Sequence, residues 1–344
     1  MSSHDNYQDV VRQMEEFGVD LIARDLPLDI DRHKRKTCGK GGKWWYWLQT
    51  FRPDAGGELI VGRFGSYKHG TSEKVRIDWK PISDAERDRR RAEHEAARAR
   101  KAEERARDNA LAAMSAAELW RTAKREGSSP YLVRKLVEPE ICRFLPDSSL
   151  VIPLLRYDRP RDAALVGMQR IYPGPRTHWR TGEDLPQKTY TKGFEKPGAS
   201  LRFGRVVDGE PILVCEGFST ALSIRMATER QLPVFMALDA GNLVEVSALI
   251  RVLHAGARML ICADDDWRTR NHEGTLWNAG RVKAREAAKA IDRCDVVYPS
   301  FAGLDRGAKH TDFNDLHVLA GLDRVHTQLH SVLDAIRRHR PATV

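Results

Sequence analysis

The sequence contains no pair of cysteines in C-x-x-C spacing. Its five cysteines, Cys38, Cys142, Cys215, Cys262 and Cys294, are scattered along the chain. That excludes a structural zinc site of the usual spacing. It predicts reduced, mostly buried thiols in a cytoplasmic protein. No run of 18 apolar residues exists, so no membrane span is expected. MSSHDNYQDV lacks the apolar core of a signal peptide. The phosphate-loop pattern G-x-x-x-x-G-K-[ST] is missing too. GKGGKWW (39–45) has the wrong spacing and follows no strand, which excludes a phosphate-loop ATPase.

What is present is charge. Of 344 residues, 31% are charged and 41% hydrophobic, with a net charge of +9. The pI near 9.4 makes a polyanion such as nucleic acid the first partner to consider, and an acidic membrane surface the second. The length suits two or three domains.

Composition divides the chain. Residues 1–80 read as a small aromatic-rich α+β module, with a helix over VVRQMEEFG (10–18) and strands in KWWYWLQTF (43–51), ELIVGRFGSY (58–67) and KVRIDWK (74–80). Its rings, Trp44, Trp45, Tyr46, Trp47, Phe51, Phe64, Tyr67 and Trp79, build a small core on the plainer reading. On the sharper one, exposed rings such as Trp45 stack on single-stranded bases while Lys36, Lys40 and Lys43 touch phosphates. Residues 83–126 are Ala, Arg and Glu with few large apolar side chains. They predict a long charged helix, opened by a Ser83–Glu86 capping box and about 60 Å long, serving as a solvated spacer.

Residues 127–205 read as a basic α+β module, with Pro130 at a helix N-terminus and a hairpin formed by SLVIPLLRY and ALVGMQRIYP. The Gly/Pro-rich stretch after it makes Arg170, Arg176, Arg180, Lys188 and Lys192 a candidate phosphate-binding surface. The alternative is an ordinary exposed hairpin. Residues 206–344 carry the clearest pattern. Apolar runs PILVCEG, PVFMALDAGN, ARMLICADDD and CDVVYPS alternate with helical segments. That predicts an α/β domain, a parallel sheet flanked by helices, with a C-terminal helical segment.

Ligands of open parallel sheets bind at the carboxyl ends of the strands. Here those ends carry Glu216, Asp239, and Asp264, Asp265 and Asp266, and the loop after the fourth strand leads to Asp312 and Asp315. Such crowding is costly without a cation. Oxygen ligands suit Mg²⁺, or Mn²⁺, and Asp264 and Asp266, two apart on an extended segment, can face one way while Asp265 faces another. Glu216 is a candidate metal ligand or proton-transfer group. Asp312 and Asp315 are candidates for the metal's surroundings or for structuring their loop, and Asp239 and Asn242 for fixing a turn. His254, His272 and His317 lack metal-ligand spacing and read as surface or loop residues. Arg202 and Arg205 either meet phosphates or face solvent.

Glu216 after the first strand and Asp264-Asp265-Asp266 after the third resemble the Toprim domain. EGFSTALSI, DAGNL and DFNDLH resemble more specifically the DNA primases of phages, plasmids and integrated elements, as do IPLLRY…LVGMQRIYPG and GRFGSY more loosely. The resemblance implies RNA primer synthesis on a single-stranded DNA template from ribonucleoside triphosphates. Asp264 and Asp266 would hold Mg²⁺ and nucleotide, with Glu216 assisting. It departs from the cellular primases in lacking the cysteines of their zinc ribbon, so template selection needs another surface. A helicase, if needed, is a separate protein. Two further readings use the same acids differently: a metal-dependent Toprim nuclease, and a nucleic-acid-binding protein with a retired core.

Overall fold

The computed structural model describes residues 4–53, 56–67, 70–77, 84–270 and 274–338, with backbone only at 84–87 and 90. The expected Ser83–Glu86 capping box, Trp79 and His272 lie outside the described residues. The chain divides into two compact units, Met1–Ala96 and Ala97–Val344. No described helix is long and apolar enough to cross a membrane.

In the first unit, helix α1 (Tyr7–Glu16) covers one face of an antiparallel sheet ordered β1 (Lys36–Cys38), β2 (Trp44–Phe51), β3 (Leu59–Ser66), β4 (Ser72–Lys74). Alternation along β2 and β3 sends Tyr46, Leu48, Ile60 and Phe64 to a core shared with Val10 and Met14 of the helix. The strand expected over 74–80 instead ends at Lys74, and β1 was not expected.

Helix α2 (Asp84–Thr122) is the long charged helix. Among its described side chains, full burial begins only at Ala112 and Ala116. Helix α3 (Pro130–Lys135) follows, with Pro130 in its first turn. Next come strands β5 (Arg143–Phe144), β6 (Leu150–Leu155) and β7 (Leu165–Ile171), a two-residue ladder of β8 (Arg176–Thr177) with β9 (Asp184–Leu185), and β10 (Lys188–Tyr190). The expected hairpin is β6–β7, and the sheet order is β10-β7-β6-β5.

The last sheet takes β11 (Leu201–Phe203), β12 (Ile212–Cys215), β13 (Val234–Met236), β14 (Met259–Cys262) and β15 (Cys294–Val297), in the order β11-β13-β12-β14-β15. Four strands run parallel, as expected. β11 adds an antiparallel edge, so the sheet is mixed. Mutual backbone hydrogen bonds between Leu155 and Ser200, at 2.8 and 2.9 Å, tie β6 to the segment entering β11. Helices α4 (Phe218–Ala227), α5 (Leu243–Leu253) and α6 (Ala279–Ala290) connect the parallel strands, and α7 (Phe313–Ala320) and α8 (Leu322–Arg338) close the domain. Every residue of β12, β13 and β14 is buried, the pattern of strands covered on both faces. Cys38, Cys215 and Cys262 are buried, while Cys142 and Cys294 are partly exposed; all five are free thiols.

Candidate active site

β12 pairs with β13 on one side and β14 on the other. Glu216, which follows β12, therefore sits between the chain segments leading to Asp239 and Asp264. Glu216 is 9% exposed, and its Oε1 is closed off with no hydrogen-bond partner among the described residues, as are Oδ1 of Asp264 and Oδ1 of Asp239. Burial, and then the charges of Asp266, Asp239 and Asp312, push the Glu216 carboxyl up to about 7, against the Ala240 amide. Burial, and then Glu216, Asp312 and Asp266, drive Asp264 well above the usual carboxylate range, with Lys188 acting the other way. Glu216, Asp239, Asp264, Asp266 and Asp312 thus act on one another's charge at the strand ends. Leu238, just before Asp239, has φ 78°, a left-handed conformation that a leucine adopts only under constraint.

The three consecutive aspartates divide their work. Asp265 is 3% exposed and belongs to a different set of partners. Its Oδ1 accepts from Asn278 Nδ2 at 2.6 Å and lies 2.7 Å from Arg281 Nε; its Oδ2 accepts from Arg306 Nη1 at 2.9 Å. Burial opposes its charge, but Asn278, Arg306 and Arg281 together outweigh burial and hold the carboxyl below the usual range. Arg306 also donates to the Asp265 carbonyl at 2.9 Å and lies over the rings of Trp267 and Phe301. Asp265 thus faces an arginine pocket rather than solvent. Asp266 Oδ2 accepts from the Gly280 amide at 3.0 Å, in the first turn of α6. Gly280 has no alternative there, because a Cβ would come within 2.4 Å of the Asp264 carbonyl oxygen.

Asp312 and Asp315 form the capping box of α7: Asp312 Oδ1 accepts from the Asp315 amide at 2.7 Å, and Asp315 Oδ2 from the Asp312 amide at 3.3 Å. Thr220 donates to Asp312 Oδ2 at 2.9 Å, and Lys135 Nζ lies 3.2 Å from Asp315 Oδ1. Burial, then Asp315, raise the Asp312 carboxyl. Asp312 therefore belongs to the crowd around Glu216, while both Asp315 oxygens are taken up by its own loop and Lys135. Asn242 does fix its turn, donating to the carbonyls of Ala199 and Ala237 and accepting from the Gly198 amide. His317 corrects its sequence reading: it is buried, 3.0 Å from the Ser223 hydroxyl, because it lies on the inner face of α7.

Among the described residues no three His, Cys, Asp or Glu side chains stand close enough to cage a metal by themselves. Mg²⁺ does not require that, since it commonly takes one or two carboxylates and completes its shell with water and substrate phosphates. Buried, partnerless carboxylate oxygens that raise one another's pKa fit such an ion.

The basic residues separate. Lys188 acts on Asp264, and Lys196, which the sequence did not single out, pairs with Asp239 at 2.6 Å. Arg170 is tied to Asp147 at 2.6 Å and lies over Tyr172, whose ring also carries Arg176. Arg180 lies over Trp179, which is 80% exposed, and Lys192 is exposed. Arg202 lies over Tyr157, and Arg205 is exposed. Lys43 and Trp45 belong to the first unit; Lys43 is exposed, but Trp45 is 7% exposed and lies beneath Arg35, so it is not an open stacking ring. Arg281, Arg306, Asn278, Thr220 and Lys196 complete the site without having been expected. Only Asn278 had a signal, as an N-cap residue before a helix.

Residues 211–323 match the Toprim domain family. Fold and match together define a chain that carries a Toprim domain on a mixed α/β sheet. Among solved structures it is similar to the primase fragment of the bacteriophage T7 primase-helicase protein (16% identity, TM-score 0.36), over 55% of this chain and 66% of that one. It is similar to the zinc-binding and RNA polymerase domains of Aquifex aeolicus primase (12%, 0.40; 97% and 86%) and to the RNA polymerase domain of Mycobacterium tuberculosis primase DnaG (15%, 0.34; 60% and 63%). The chain thus spans just under two thirds of the T7 fragment and of the mycobacterial domain. No curated protein matches.

Proposed function

We propose that this protein is a DNA primase that joins ribonucleotides on a single-stranded DNA template, in the replication of a phage, plasmid or integrated element. What supports this most is the set of buried, partnerless carboxylate oxygens of Glu216 and Asp264 at the strand ends of a Toprim domain. The resemblance of EGFSTALSI, DAGNL and DFNDLH to primases of that kind supports the mobile-element setting.

In this reading Asp264 and Asp266, with Glu216, hold Mg²⁺ or Mn²⁺. Two such ions would neutralise the acids and the triphosphate and stabilise charge on the attacking and leaving oxygens. Glu216, through the carboxylate oxygen that it does not give to a metal, would accept the proton of the 3′-hydroxyl that attacks the α-phosphorus as pyrophosphate leaves. Lys188 and Lys196, at the edge of the acids, meet the phosphates of the incoming nucleotide. Asp265 with Arg281 and Arg306 fixes the loop so that its neighbours present their carboxylates. Asp312 adds negative charge, and Asp315 holds its helix in place. A helicase, if the reaction needs one, is a separate protein.

The test incubates the full chain with single-stranded DNA, labelled ribonucleoside triphosphates and Mg²⁺ or Mn²⁺, beside an Asp264→Ala/Asp266→Ala variant. Short template-dependent products that vanish in the variant support the proposal. Metal-dependent shortening of the DNA without added nucleotides would move the acids to a nuclease.

A further inference from the structure

The first unit uses one face of its sheet for the core, and the opposite face carries a different chemistry. The register sets Trp47 opposite Arg63, and Arg63 opposite Lys74. Thr37 pairs with Trp45, so Arg35, two residues earlier, falls in line with Trp47. One row across the sheet therefore reads Arg35, Trp47, Arg63, Lys74. The next row reads Thr37, Trp45, Gly65, Ser72. Gly65 gives that row its depth, because a Cβ there would come within 2.9 Å of the Trp45 ring and 2.4 Å of the Thr71 carbonyl. Arg35 lies 4.1 Å over the Trp45 ring. His33, Arg35, Trp45, Trp47 and Arg63 line a cavity of about 290 Å³.

Among the described residues no carboxylate lines that cavity. Arg32 and Lys36 pair with Asp29, whereas among the described residues no carboxylate reaches Arg35, Arg63 or Lys74. From Arg32 to Lys43 the sequence has six basic residues and no acidic one. The cavity is near the lower limit, about 300 Å³, of small-molecule sites. Its walls are flat rings and guanidinium planes, which stack on a base of any sequence, and its rim is cationic, as phosphates require.

We propose that this face binds single-stranded nucleic acid, with one unpaired base entering the cavity against Trp47 and its flanking phosphates held by Arg35 and Arg63. A paired base is already stacked and cannot enter, so a duplex binds less well. This assignment draws on none of the residues that carry the primase reading.

The test is fluorescence anisotropy of labelled dT and rU oligonucleotides, and of a duplex, with the full chain in EDTA across a salt series. An Arg35→Gln/Arg63→Gln variant is expected to bind the single strand about tenfold more weakly. Its slope of log affinity against log salt should shrink by about 1.4, about 0.7 for each lost phosphate contact. Trp47→Ala should weaken binding several-fold at unchanged slope, and Trp47→Phe, which keeps a ring, should restore most of it. Preference for DNA or RNA identifies the sugar accepted, and either outcome supports the site. Wild-type affinity and slope in the arginine variant would overturn it. So would equal binding of duplex, or equal competition by poly-glutamate, which would reduce the face to a generic polyanion patch. Primer synthesis is scored separately on the Asp264→Ala/Asp266→Ala variant. If wild-type chain makes no primers while the arginine variant loses binding, the primase reading fails and this one stands; the reverse pattern sinks this one alone.

Discussion

Replacing Glu216 by glutamine removes a crowded charge while keeping the side chain's shape. The Glu216 carboxyl titrates near 7 in the folded protein against an ordinary value of 4.5. The native state therefore holds the proton more tightly than the unfolded chain does. Stability from this group is complete below pH 4.5, declines as pH rises through the window, and is gone above about 7. The gap, at about 1.4 kcal/mol per pH unit, comes to about 3 kcal/mol. Glu216→Gln stays neutral at every pH, so at pH 8.5 it is expected to be more stable than wild type by about that amount, and at pH 4.5 by almost nothing. For a unit of this size that is a rise in melting temperature of roughly 6–10 °C at pH 8.5. Differential scanning calorimetry at the two pH values measures it. Adding Mn²⁺ should stabilise the wild type more than the variant and so narrow the difference. A variant no more stable at pH 8.5 than at pH 4.5, relative to wild type, would refute the picture of carboxylates held together against their repulsion.

Asp265→Ala leaves Arg306 and Arg281 facing one another without a counter-charge. Breaking a fully buried pair costs about 3–5 kcal/mol, and because the Arg281 side chain is 40% exposed the lower end, about 3 kcal/mol, is expected in urea melts. Because the Asp265 carboxyl is held below its ordinary 3.8, that penalty is present above about pH 4 and disappears as pH falls through the lower folded value. Gly280→Ala drives a methyl against the Asp264 carbonyl. It should cost about 1–3 kcal/mol and depress primer synthesis, whereas Gly256→Ala, where a Cβ meets nothing within 4 Å, should do neither. Lys196→Ala breaks a half-exposed pair, so melting should change by less than about 1 kcal/mol, while the KM for nucleotide in the primer assay rises several-fold.

Much of the Toprim domain was legible because its strands are unbroken apolar runs and its helices lie between them. Val234–Met236 and Met259–Cys262 cannot be anything but covered strands. The edge strand Leu201–Phe203 was not legible, since three residues with an arginine in the middle show no periodicity. The start of the helix after the acids at Ala279 is not legible either, because Thr-Leu-Trp before the Asn278 cap continues its helical pattern. Glu216 and Asp264 could be found because strand ends are where ligands bind. Arg306 could not: it comes from an aperiodic loop 41 residues after Asp265 and announces itself only by where that loop returns.

The three consecutive aspartates show why sequence reaches the acids but not their arrangement. Three adjacent negative charges at a buried strand end would be untenable if all three faced the same ligand. Alternation along an extended segment turns the middle one away, which the sequence does dictate. What it turns toward decides the chemistry. Two arginines and an asparagine neutralise Asp265 and tie it to α6 and to the loop before α7. The loop therefore needs no metal to stay in place. Asp264 keeps an unsatisfied oxygen, and Asp266 spends one of its own on α6. The charge that remains unbalanced is then the charge that Glu216 and Asp312 share. In the function proposed above, a divalent cation would relieve that charge. A single Asp265→Ala change, which leaves every proposed ligand in the sequence, should accordingly weaken Mn²⁺ binding, measured by calorimetry, about tenfold. Unchanged Mn²⁺ affinity in that variant would show that the ligands are held by the sheet alone.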